Sequence, residues 1–77
     1  MVTPEEQAVL DACAAVFAPE DGAWFGAKVT AERQSPLMMR AVAGALRDDP
    51  HNLPRAACGV LADAIDALAA VREQEKR

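Results

Sequence analysis

LPRAACGVLADAIDALAAVREQEKR, residues 53–77, is the longest stretch of the chain with an unbroken helical rhythm. Ala57, Leu61, Ala64, Leu68 and Val71 recur at alternating steps of four and three, and Val60 and Ile65 widen the stripe on either side. Asp63, Asp66 and Glu73 fall on the other side, so one face seeks burial and the other seeks water. The spacing predicts a core-facing helix over about 52–75, capped by Asn52 or Asp49 and fraying over about 73–77. Ala57, Gly59 and Ala64 read as small-residue grooves that admit neighbouring helices.

Working back from this helix, Asp48 to Pro54 is the main loop, rich in turn formers. Before it, Leu37, Met38, Met39, Val42, Ala45 and Leu46 supply an apolar face for a helix over 35–47. Ser35-Pro36 both ends what precedes it and starts that helix, with Ser35 as cap and Pro36 at the first helical position. Gly44 reads as a place where a neighbouring backbone approaches. Residues 22–34 are less regular: Trp24-Phe25 and Val29-Thr30 would suit a strand, but no other segment alternates with period two to pair with one. A short helix capped by Asp21 is the expectation, with Pro19 and Gly22 interrupting the chain before it. The first helix is expected over 3–17, where Thr3-Pro4-Glu5-Glu6 combines a cap, a first-turn proline and acids suited to the helix dipole. Its apolar stripe is Val9, Leu10, Cys13, Val16 and Phe17.

The expected fold is therefore all-α, a compact antiparallel bundle of three to four helices with short connections, in a single domain over 1–77. A domain of this length buries only about 60% of the surface its unfolded chain exposes, so a partner or a second copy would help it. Hydrophobic residues make up 52% of the chain but aromatics only 4%. Alanine supplies much of that difference. It favours helix and fills little space.

Chemistry is sparse. The sequence holds no glycine-rich phosphate loop, paired-histidine metal motif, serine elbow or Cys-x-x-Cys, so neither an enzyme nor a cofactor is expected. Asp48, Asp49 and His51 lie within four residues of one another, but three loop ligands with no second cluster read as solvated caps and turn formers, not a metal centre. Cys13 and Cys58 read as small buried hydrophobes in a reducing, cytoplasmic setting. No apolar run reaches the roughly 20 residues a membrane span needs.

Function then has to be sought on surfaces. Leu37, Met38 and Met39 are consecutive and cover about 200° of helix circumference, more than one core-facing stripe absorbs. At least one should point outward, and Trp24-Phe25 raises the same question beside Gly26. The leading expectation is a small accessory protein that binds a protein partner or itself through Trp24, Phe25, Leu37, Met38 and Met39. Charge suggests the alternative. Between Gly22 and Arg47 the chain carries Lys28, Arg33, Arg40 and Arg47 against Glu32, a net of +3 in a protein whose total is −4. These cations read either as a basic rim or as the contacts of a helix-turn-helix-like nucleic-acid binder. The competing reading pairs them with acids on the first and last helices.

Overall fold

The structure, a computed structural model, describes residues 2–31, 35–49 and 51–75. Within them run four helices and no strands: α1 (Pro4–Val16), α2 (Pro19–Ala31), α3 (Pro36–Asp48) and α4 (Arg55–Glu75).

Proline sets the start of three of the four. At α1 the Thr3 hydroxyl accepts from the Glu6 N–H at 3.2 Å and donates to the Glu6 carboxylate at 3.1 Å, closing the first turn from both sides. At α3 the Ser35 hydroxyl accepts from the Met38 N–H at 3.2 Å. Between them α2 starts at Pro19, three residues earlier than its sequence suggested, and matches α1 and α3 at 13 residues each. Pro19 does break the chain after α1, but its fixed φ suits the first helical position equally well, and Gly22 N–H reaches the Ala18 carbonyl at 2.7 Å. The expected cap Asp21 therefore lies inside the first turn. The expected end of this helix at Gln34 falls outside the described residues.

α4 also begins later than expected. Pro54 occupies the capping position and its carbonyl accepts from Cys58 N–H at 2.9 Å, so neither Asn52 nor Asp49 holds that place. At the other end α4 is helical through Glu75, and Arg40 Nε meets Glu73 Oε1 at 2.8 Å. Residues 76 and 77 lie outside the described part.

Three helix pairs pack: α3 on α4, α4 on α1 and α1 on α2. α1 and α4 thus form the middle of the arrangement, with α2 outside α1 and α3 outside α4. Both hairpins are antiparallel. Along α3 and α4, Arg40 meets Glu73 while Arg47 meets Asp66 and Asp63. Along α1 and α2, Gly22 lies against Cys13 and Gly26 against Leu10. The radius of gyration of 11.5 Å matches the roughly 11–12 Å expected of a compact chain this long.

The core is built from Val9, Ala12, Cys13 and Val16 of α1, Val29 of α2, Met39 and Ala43 of α3, and a broad face of α4. That face comprises Cys58, Leu61, Ala62, Ile65, Leu68 and Ala69. It is turned from the expected stripe because α4 must serve α1 and α3 together, and the turn leaves Val60 62% exposed. Phe17 and Phe25 close one end, their rings 5.2 Å apart and tilted.

The glycines exchange roles. A methyl added at Gly22 would stand 2.8 Å from the Cys13 carbonyl oxygen, and one at Gly26 would stand 2.6 Å from Leu10 Cδ2. These two, one turn apart, let α2 lie close on α1. At Gly44 and Gly59, where close approach was expected, an added methyl meets nothing within 4 Å.

Candidate interaction surface

Ser35 and Pro36 fix the rotational phase of α3, and that phase sorts the three consecutive large residues after them. Met39 points inward and is fully buried, one turn before buried Ala43, whereas Leu37 is 78% exposed and Met38 55% exposed. Met39 is thus a core residue of the chain, not part of its surface.

The aromatic pair divides in the same way. Phe25 packs half-buried against the core beside Phe17, and Trp24 is 63% exposed. One turn on, Lys28 places its ammonium over the Trp24 ring, 5.0 Å from the centroid, an arrangement that steadies the indole and leaves its other face open. Trp24 and the Leu37-Met38 pair lie on helices that belong to different packed pairs, so the expected single patch is two: one on α2 and one on α3.

No protein-family model, curated protein or solved structure matches this chain.

The basic residues are mostly spoken for. Arg40 Nε donates to Glu73 Oε1 at 2.8 Å, while Arg47 reaches Asp63 Oδ1 and Asp66 Oδ2 through separate nitrogens, each at 2.6 Å. These hydrogen bonds, reinforced by the carboxylate charges, hold both guanidiniums more firmly protonated than usual. Both arginines therefore lock α3 to α4. A helix-turn-helix braces its reading helix on the one before, whereas α3 is braced on the one after. Arg33 lies outside the described residues.

Arg72 carries a role that no sequence pattern announces. Its guanidinium donates to the carbonyl of Val29 at 2.9 Å and also to that of Thr30. Both belong to the last turn of α2, where the helix dipole favours a cation. The Thr30 hydroxyl donates to the Gly26 carbonyl at 2.8 Å, which satisfies this buried polar side chain.

The other reactive residues are quiet. Cys13 and Cys58 are free thiols in the core, and burial pushes the Cys13 thiol up to about 11. His51 Nε2 stands 3.4 Å from Asp49 Oδ2, with no cluster of three metal-ligating side chains around them among the described residues. No described helix is long and apolar enough to cross a membrane.

Proposed function

We propose that this chain is a small non-enzymatic accessory protein of the cytoplasm that binds a protein partner, or itself, through apolar side chains on its flanking helices. The observation that carries this reading is the adjacent exposure of Leu37 and Met38 at the start of α3. A large unbranched thioether beside a leucine adapts to varied partner surfaces, and Arg40 supplies a polar edge. Trp24 with Lys28 across its ring is a second anchor on α2, of the amphipathic kind enriched at binding hot spots. Meanwhile the guanidiniums of Arg40 and Arg47 are held within the chain, which favours protein over nucleic acid as partner.

The test is a Leu37→Glu/Met38→Glu double variant and, separately, Trp24→Ser. Each replaces an exposed side chain, so circular dichroism should remain native. Affinity capture from the source cell, with and without nuclease, and self-association should weaken by about tenfold or more for at least one variant, as hot-spot truncations do. Unchanged capture and self-association in both would refute the reading. Capture abolished by nuclease alone would refute it in favour of nucleic acid.

A further inference from the structure

α3 is apolar on its outer side as well as its inner side. At 100° per residue, Leu37, Met38, Ala41, Gly44, Ala45 and Asp48 fall within an arc of about 120°, opposite buried Met39 and Ala43. Five of these six are exposed and Gly44 is half-buried. A flanking helix with apolar residues on both faces is unusual in water, since such helices are normally covered on both sides. The arc also has a direction. Its large side chains lie at the N-terminal end and its smallest lie two turns on, where an added methyl at Gly44 would meet nothing within 4 Å.

From this we infer that the covering element is the α3 of a second copy of this chain, laid antiparallel about a twofold axis at Ala41. The inference rests on the interaction reading above and specifies the partner. An isologous seam needs a surface complementary to itself under rotation, and this arc meets that requirement twice. Leu37 comes over the open space at the second copy's Gly44, level with its Ala45, and Met38 comes over that Ala45. Asp48, at the carboxyl end of its own helix, comes over the second copy's helix start at Ser35 and Pro36, where the dipole is positive. A parallel pairing would instead stack large on large, leave small opposite small, and set Asp48 against Asp48. The seam is one 13-residue helix long, about 20 Å, so it belongs with the small, weak interfaces below about 1,200 Å² in total. The dimer is accordingly reversible, with a dissociation constant of about 1 μM to 1 mM.

Sedimentation equilibrium of the full chain from about 10 μM to 1 mM should show a monomer–dimer equilibrium. Ala45→Arg keeps a good helix former at an exposed position and should leave the protein monomeric with native circular dichroism. Asp48→Lys should weaken association about two- to fivefold, although a cation suits the end of its own helix. Oxidative coupling reads the register: Ala41→Cys should couple to itself, and Leu37→Cys should couple to Ala45→Cys faster than to itself. The native Cys13 and Cys58 are buried and do not compete. A chain monomeric up to 1 mM, a dimer indifferent to Ala45→Arg, or self-coupling of Leu37→Cys as fast as its coupling to Ala45→Cys would each overturn the inference. A monomeric chain that still captures a partner through Leu37 and Met38 would overturn this inference alone and leave the interaction reading standing.

Discussion

Single residues in this chain matter through the space beside them. Gly22 and Gly59 both sit inside helices, where glycine costs up to about 1 kcal/mol relative to alanine. Their surroundings reverse the outcome of replacing them. Gly22→Ala drives a methyl to 2.8 Å from a backbone oxygen of α1 and should destabilise the fold by about 1–3 kcal/mol. Gly59→Ala enters open space and should stabilise it by about 0.5–1 kcal/mol. Chemical denaturation of the two variants compares them directly; equal shifts would mean that α2 does not lie so close on α1. The adjacent methionines offer a similar contrast. Met39→Ala should cost about 2–5 kcal/mol because it empties the core, and Met38→Ala should fall within about 0.5 kcal/mol of the parent. Cys13 adds a pH dependence. Its thiol titrates near 9 when unfolded and about 11 when folded, so the stability due to its protonated form is complete below pH 9 and is lost as pH rises toward 11. Thermal melts of the parent should fall across that window, and Cys13→Ala should flatten the fall.

At the level of elements, the starts of α1 and α3 were the most legible features of the sequence and helix faces the least. Thr3-Pro4 and Ser35-Pro36 announce α1 and α3 because each joins a capping hydroxyl to a proline already in helical geometry. Ala18-Pro19 begins α2 without such a hydroxyl, so only its breaking role stood out. In so alanine-rich a chain, small residues lie on every side of each helix, and pattern alone could not decide which glycines faced a neighbour. Gly22 and Gly26, spaced by one turn, were the available sign. The outward run Leu37, Ala41, Ala45 had the same four-residue step and was equally readable. Arg72 left no trace, because its partners are carbonyls, which every residue has. Its removal is nevertheless consequential. Arg72→Met keeps the aliphatic stem but leaves the Val29 and Thr30 carbonyls unclamped, and should cost about 1–3 kcal/mol. Amide exchange should accelerate first in the last turn of α2; uniform acceleration across the molecule would mean that Arg72 supports the core as a whole.

Across the molecule, charge and apolar surface divide the labour. The net acidity of the chain and the basicity of its middle meet at the α3–α4 seam, where Arg40 and Arg47 find Glu73, Asp63 and Asp66. The charge pattern allowed pairing with acids on the first and last helices, and among the described residues Arg40 and Arg47 find theirs on the last. These bonds lie at the surface, so salt should loosen them while the apolar core beneath keeps the hairpin together. Helical class and antiparallel order followed from connection lengths, but the sequence put the apolar lead on one patch. Only the placement of α1 and α4 between α2 and α3 separates Trp24 from Leu37 and Met38. Two anchors on opposite flanks allow one face to engage a second copy while the other remains available.

The central position of α4 also bears on how the chain reaches this state during synthesis. When only the first two helices have left the ribosome, they can close as a hairpin across Gly22 and Gly26, but Cys13, Val16 and Val29 still lack the surface that covers them. α3 emerges next and finds no helix to pack on, since its own partner follows it. The nascent chain thus carries two uncovered apolar faces until the twenty-one residues of α4 arrive, and α4 then completes the second hairpin and covers the first. A delay between the emergence of α3 and that of α4 would prolong the exposure of Met39 and Ala43, the inward face of α3.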